Sequence, residues 1–591
     1  MTDKFYTDEQ NAQVVIALLK AHGIRKVVAS PGTTNIPITG SIQNDSFFEV
    51  WSAADERSAA YIACGLAAES GEVVALSCTG ATASRNYLPG LTEAYYRKLP
   101  LVAITSMTTF SSIGNLVPQS IDRSVLPKDA VRASVFIPTV KDTADFSNCE
   151  LLVNKILLET VRHGGGPVHI NLETSYKGTF NTRELPSVRV IHRVVPTSSS
   201  FPVIPSGAKV AVFIGAHRPF TNHETDVLEN FVKDWNAVVF CDHTSAYKGS
   251  GRILSALACS QSLAGKSAYS ALKPDLVIHI GEISGDYPSQ GTILTDSSPV
   301  WRVSEDGEVR GRFKQLEYVF EMREVDFFQQ YAQAAVSECR EYLQAWEKYD
   351  ADIRVTLPDI PFSNAWIASV LSSELPKNSL LHLGILNSLR CWNMFEVDST
   401  IRTASNVGGF GIDGCVSTLI GASLVDKSRL CFGVFGDLAF FYDLNSLGNR
   451  HVERNLRILL VNNGGGGEFA IYSHTGSQFG EQTGDFIAAA GHYGNKSPQL
   501  VRHYAEDLGF TYLSANNKKE FLACMKTFVS PVVLERPMLF ECFVDMNCDS
   551  DALEMLEHLD TSVTPEFAAR RLAGKILSPS VKNILKKAFG K

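Results

Sequence analysis

Two consecutive apolar segments of this chain end in oxygen-bearing side chains flanked by glycine. Arg429-Leu430-Cys431-Phe432-Gly433-Val434-Phe435 leads into Gly436-Asp437, and Leu456-Arg457-Ile458-Leu459-Leu460-Val461 leads into Asn462-Asn463-Gly464-Gly465. Both are short apolar runs with β-branched residues and loop signals at their ends, which predicts buried β-strands. An Asp at the end of one strand and an Asn at the end of the next can share one small, hard cation. Mg²⁺ takes octahedral oxygen ligation and uses one or two protein oxygens plus substrate phosphates. Asp437, Asn463 and a backbone carbonyl near Gly465 would supply the protein half, and glycine-rich backbone after a strand offers donors to phosphate. Taken alone, the pair reads equally as two buried strands ending in ordinary turns, where Asp and Asn are common.

The composition is that of a soluble globular protein, with 45% hydrophobic and 20% charged residues, and 591 residues admit three or four domains. A net charge of −9 disfavours nucleic acid as a partner, because a phosphate backbone needs a basic footprint. No apolar run approaches the length of a membrane span. The opening Met1-Thr2-Asp3-Lys4-Phe5-Tyr6 lacks the layout of a secretory signal. The 12 cysteines show neither a Cys-x-x-Cys pair nor a His at zinc-ligand spacing, so they read as reduced thiols of a cytoplasmic protein.

The first third alternates helix and strand. Helices are predicted over Asn11–His22, Arg57–Glu69 and Ala83–Arg97, and strands over Arg25–Ala29, Val73–Ser77 and Leu101–Thr105. This is the βαβ pattern of a parallel sheet. A Pro- and Ser-rich stretch from Pro186 to Pro205 reads as a linker. A second α/β unit starts at Lys209, with strands Val210–Ile214, Ala237–Cys241 and Leu276–Ile280 ending in Gly215, Asp242 and Gly281. No G-x-G-x-x-G follows any of them, which favours a structural domain over a nucleotide site. Glu324–Asp350 reads as a connecting helix, and a third α/β unit covers about Phe362–Cys548. The domain boundaries are therefore 1–185, 205–345 and 360–550, followed by a basic tail at 560–591. That tail reads as a solvated terminal helix, with a membrane or protein surface as the other possibility.

Asp55 and Glu56 open the alanine-rich segment Arg57-Ser58-Ala59-Ala60-Tyr61-Ile62-Ala63-Cys64-Gly65-Leu66-Ala67. They read either as caps of that helix or, for Glu56, as a carboxyl in an apolar place that holds or shares a proton. Asp55-Glu56-Arg57-Ser58-Ala59, Gly65-Leu66-Ala67, Thr79-Gly80-Ala81-Thr82-Ala83 and Asn86-Tyr87-Leu88-Pro89 together resemble the pyrimidine-binding domain of thiamine-diphosphate enzymes. Gly408-Gly409-Phe410-Gly411-Ile412-Asp413-Gly414 and Gly436-Asp437-Leu438-Ala439 agree. The nearest branch resembles the menaquinone-pathway synthases that join 2-oxoglutarate to isochorismate, which also carry Leu after Gly-Asp. The likeness covers both outer domains; the middle one matches in size and pattern.

The resemblance implies three α/β domains with parallel sheets (pyrimidine-binding, central and diphosphate-binding), with thiamine diphosphate and Mg²⁺ as cofactors. Glu56 would activate the pyrimidine. Asp437, Asn463 and the carbonyl of Gly465 would hold Mg²⁺, and Gly411, Ile412, Asp413, Gly436, Leu438 and Ala439 would line the cofactor, with Ile412 as its apolar wedge. Gln119 would reach the substrate, and His474 is a candidate acid or base. The partners would be a small 2-oxo acid and an acceptor, and the assembly a homodimer or homotetramer with sites between subunits. Four places depart from the branch. Thr34, the run Ser106-Met107-Thr108-Thr109, Trp392 and Val407 stand where it carries carboxylate-binding arginines. A guanidinium is hard to replace in that task, so different substrates are expected, with Arg85 and Arg123 as candidates to bind a new acidic group.

Overall fold

The computed structural model describes residues 5–175, 178–261, 269–294, 298–332 and 341–559. The basic tail expected at 560–591 lies outside the described residues. The chain divides into two compact units: Met1–Phe201 with Glu305–Met322, and Pro202–Ser304 with Arg323–Lys591.

The first unit is built on six strands, Lys26–Ala29, Glu49–Ser52, Val74–Thr79, Leu101–Met107, Ala133–Ile137 and Val168–Glu173. Counted along the chain, they lie in the order 2-1-3-4-6-5, and all the pairings are parallel. The two central strands are buried almost throughout, as parallel strands covered by helices on both faces must be. Helix Glu56–Ser70 starts at an Asp55 cap and stops at Gly71, whose φ of 70° suits a left-handed C-cap. Its small residues allow a close neighbour: a Cβ on Gly90 would lie 2.4 Å from the Ala60 Cβ. The single helix expected over Ala83–Arg97 is in fact two, Ala81–Asn86 and Leu88–Arg97. Pro89 lacks an N–H and clashes inside a helix, but is suited to a first turn. His192–Val194 also pairs in parallel with Leu316–Glu321 in this unit.

The second unit holds two further parallel sheets. Five strands of its first segment, Val210–Ile214, Val238–Cys241, Arg252–Leu254, Leu276–Ile280 and Val300–Ser304, run in the order 3-2-1-4-5. The other sheet comprises Leu380–Leu383, Arg402–Ser405, Cys431–Gly436, Leu456–Asn462, Thr511–Ala515 and Met538–Phe543. Its order is again 2-1-3-4-6-5, so the two outer sheets share one winding. Both segments contribute to one core: Ala256 and Leu257 pack with Trp366, Trp392, Phe432 and Phe540. The expected connecting helix is helical over Glu324–Ala332 and Tyr342–Val355, and residues 333–340 lie outside the described set. No helix among the described residues is long and apolar enough to cross a membrane.

Asp286 caps helix Tyr287–Ile293 by accepting from Ser289 N at 3.0 Å, while 3% exposed. Burial pushes its carboxyl up to about 7 from an ordinary value of 3.8. Its folded-state proton is therefore held through that interval while the unfolded chain gives it up, so this group makes the fold less stable as pH rises between 3.8 and about 7. Asp286→Asn should flatten that part of the stability profile, read as melting temperature against pH for the parent and the variant.

Candidate active site

Register assembles the centre of the site. Cys431–Gly436 pairs in parallel with Leu456–Asn462, with Gly436 opposite Val461. Asp437 therefore comes level with Asn462, one residue before Asn463, on neighbouring strands about 4.8 Å apart. Asp437 is 5% exposed and opens helix Asp437–Tyr442, with Leu438 N donating to its Oδ1 at 2.7 Å. Burial pushes the carboxyl up to about 7, while the amides of Leu438, Gly464 and Gly465 pull it the other way. A cation placed beside it would favour the ionised form.

The two asparagines serve different purposes. Asn462 Nδ2 donates to Glu541 Oε1 at 2.7 Å, and Tyr512 donates to the other Glu541 oxygen at 2.8 Å, so Asn462 belongs to the sheet interior. Asn463 Nδ2 donates to Asp549 Oδ2 at 3.0 Å. Its Oδ1 is buried with no hydrogen-bond partner among the described residues. A buried carbonyl-type oxygen without a partner is costly. With a buried carboxylate on the adjoining strand, it has the chemistry of a hard-cation site, so these residues fit the group the resemblance implies.

The glycines around it are there for space. Gly464 has a φ of 83°. A Cβ on Gly467 would lie 2.4 Å from Asn463 Nδ2, and one on Gly465 would lie 2.8 Å from the Ala488 carbonyl oxygen. Gly436 has open space where its Cβ would be. The Gly465 carbonyl accepts from Gly467 N at 2.9 Å and keeps a second lone pair. Leu438 is half-buried and Ala439 buried beside this strand end. Gly411, Ile412 and Asp413 form the loop before helix Cys415–Ser423, with Ile412 half-buried and Asp413 exposed. That helix is tied to the C-terminal end of helix Asp437–Tyr442 by Ser417 N and Oγ, which donate to Asp443 at 2.5 and 2.6 Å.

Asp549 went unnoticed in the sequence. It sits in the first turn of helix Met546–Glu557, which follows the strand Met538–Phe543 beside Leu456–Asn462. The available signal was the run Asp545-Met546-Asn547-Cys548-Asp549 directly after an apolar strand.

In the first unit the cap question is settled. Asp55 Oδ1 accepts from Arg57 N at 3.0 Å and Oδ2 from Ser58 Oγ at 2.9 Å. Glu56 is half-buried and makes no hydrogen bond or ion pair among the described residues. Burial pushes the Cys78 thiol up to about 12, with the Glu56 charge adding to the effect and the Arg123 charge opposing it. Gln119 lies on an exposed loop with a φ of 66°. His474, in the second unit, caps the turn Thr475–Gln482 by accepting from Gly476 N at Nδ1, 2.9 Å away, so its neutral form carries the proton on Nε2.

The positions expected to lack arginine are held by neutral contacts. Thr34 Oγ1 donates to the Ser106 carbonyl at 2.7 Å, and Trp392 and Val407 are 0% and 4% exposed in the core. Nearby Arg390 is engaged by Glu468 through two 2.7 Å bonds. Arg123 is 2% exposed and donates to Thr105 Oγ1 and Asn171 Oδ1 at 2.5 and 2.7 Å, whereas Arg85 is exposed and donates to the Asp122 carbonyl at 2.8 Å.

The middle sheet's strand ends are filled by the chain itself. A Cβ on Gly215 would lie 1.9 Å from the Glu282 carbonyl oxygen, and His243 Nε2 bonds the carbonyls of Trp392 and Phe395 at 2.9 and 3.0 Å. Those glycines serve packing. For the loop after Leu456–Asn462, Gly465→Ala should cost about 1–3 kcal/mol, measured by urea unfolding of the cofactor-free protein.

Residues 10–126 match the family described as thiamine pyrophosphate enzyme, N-terminal TPP binding domain. The chain is 33% identical to the 2-succinyl-5-enolpyruvyl-6-hydroxy-3-cyclohexene-1-carboxylate synthase of Bacteroides thetaiotaomicron, over 94% of this chain and 99% of that one. The proteins of the same name from Bacteroides fragilis and Phocaeicola vulgatus are 31% and 30% identical, over the same shares. The chain therefore belongs to the thiamine pyrophosphate enzymes, as a thiamine-diphosphate-dependent carboligase or decarboxylase in the branch of the 2-succinyl-5-enolpyruvyl-6-hydroxy-3-cyclohexene-1-carboxylate synthases.

Proposed function

We propose that this enzyme uses thiamine diphosphate and Mg²⁺ to decarboxylate a 2-oxo acid and transfer the resulting acyl unit to an acceptor, with substrates other than 2-oxoglutarate and isochorismate. The observation that carries the metal part is Asn463 Oδ1, buried and without a partner among the described residues, at the end of the strand beside buried Asp437. Asp437, Asn463 Oδ1 and the Gly465 carbonyl would hold the cation, and Gly436, Leu438 and Ala439 would border the diphosphate. Thiamine diphosphate, when bound, supplies the acyl-anion chemistry. Glu56, not used in the helix cap that Asp55 makes, would be the group that holds a proton toward the cofactor's pyrimidine. Gly411, Ile412 and Asp413 would line the cofactor, with Ile412 supporting it as an apolar surface. Gln119 would orient substrate, and His474 would offer its Nε2 proton to it. The two halves would come from different subunits of a homodimer or homotetramer.

The substrate proposal rests on charge. Thr34, Ser106, Trp392 and Val407 supply no cation, and Arg390 is neutralised by Glu468. Each missing charged hydrogen bond forgoes about 1.5–3 kcal/mol of carboxylate binding. The same loss supports a second reading, simple decarboxylation, since an acceptor dianion would find little to hold it. A panel of 2-oxo acids with ThDP and Mg²⁺, scored for carbon dioxide and for coupled product, separates the two. Turnover of 2-oxoglutarate with isochorismate as efficient as with every other pair overturns the substrate proposal.

Glu56→Gln should lower turnover by about 10²–10⁴-fold with an unchanged circular dichroism spectrum and melting temperature. EDTA should release ThDP from the enzyme and Mg²⁺ should restore it, followed by equilibrium dialysis; Asp437→Asn should weaken that Mg²⁺-dependent retention.

A further inference from the structure

We propose that Asp549 is a positioning residue that decides which end of the Asn463 side chain faces the metal. The inference rests on the metal reading above and deepens it. A carboxamide has one end that ligates a hard cation and one that repels it, and the two have nearly the same shape. Something must choose between them. Asp549 Oδ2 accepts the Asn463 Nδ2 hydrogen at 3.0 Å. Turning the amide over would set its oxygen against a carboxylate oxygen. Oδ1 is thereby left facing away from Asp549, buried and without a partner among the described residues.

Asp549 is itself held in place. Its Oδ1 accepts from Asn364 N at 2.7 Å, and the residue is 2% exposed. Both carboxylate oxygens are thus committed as acceptors, one to a fixed backbone donor and one to the amide. Gly467 leaves room for the amide nitrogen, since a Cβ there would lie 2.4 Å from Nδ2. Groups that orient metal ligands in this way typically change affinity 10–100-fold when altered.

The test reverses the polarity of this one bond. In Asp549→Asn, keeping the Asn364 bond turns an NH₂ toward Asn463, whose amide then flips and presents nitrogen to the metal. In the double variant Asn463→Asp with Asp549→Asn, donor and acceptor are exchanged, total charge is kept, and an oxygen again faces the metal. Mn²⁺ affinity is measured by electron paramagnetic resonance at saturating ThDP, with thermal melting in parallel. The parent should bind Mn²⁺, D549N at least about 10-fold more weakly, and the double variant within threefold of the parent. A parent that binds no Mn²⁺ overturns the metal reading and this proposal with it. A parent that binds while D549N binds within threefold of it overturns the positioning role alone. Should D549N fail to fold, the double variant carries the test: recovery within threefold supports the proposal, and binding at least tenfold weaker overturns it.

Discussion

The parallel pairing of Cys431–Gly436 with Leu456–Asn462 is the constraint on which the site depends. Both strands are buried on both faces, and side chains alternate with a period of two, so a slip of one residue would drive every one of them to the wrong side. The fixed register brings a carboxyl and an amide to adjacent strand ends. The fold accepts an unfavourable burial there: the Asp437 carboxyl is pushed up to about 7, only partly relieved by backbone amides, those of Leu438, Gly464 and Gly465 among them. Carboxyls perturbed by burial in this way cluster at functional sites.

The two outer sheets share the order 2-1-3-4-6-5, yet their strand ends carry different chemistry. After the second strand, one sheet presents Asp55 and Glu56 and the other the loop through Gly411, Ile412 and Asp413. After the third, one presents Gly80 and the other Gly436 and Asp437; after the fourth, one presents Thr108 and the other Asn463. Ligands of open α/β sheets bind at the carboxyl ends of strands; one winding carries adjacent acids at a strand end in the first unit, and a carboxyl and an amide at neighbouring strand ends in the second.

Much of this could be read from the residues. Apolar runs closed by glycine mark buried parallel strands, and the Gly-Asp and Asn-Asn endings mark where polar atoms gather. Asp55 and Glu56 could not be separated that way, because both suit a helix start, Asp as its cap and Glu in its first turn; only the Asp55 bonds to Arg57 and Ser58 show which of them caps it. Pro89 carried the signal for a helix break that periodicity alone obscured. Asp549 was illegible for a different reason. Its part is a contact between residues 86 positions apart, and no local pattern encodes which acid of an acid-rich turn will point inward. The fate of Arg123 and Arg390 was likewise set by distant partners, Asn171 and Glu468.

His243 reaches from the middle sheet to the carbonyls of Trp392 and Phe395, and Leu257 shares a core with Trp392. Neither sheet of the second unit can therefore come apart without stripping apolar cover from the other. The middle segment works as a splint: its buried His243 holds the end of the helix Asn387–Trp392, which follows the strand Leu380–Leu383, itself paired with the strand that ends at the aspartate.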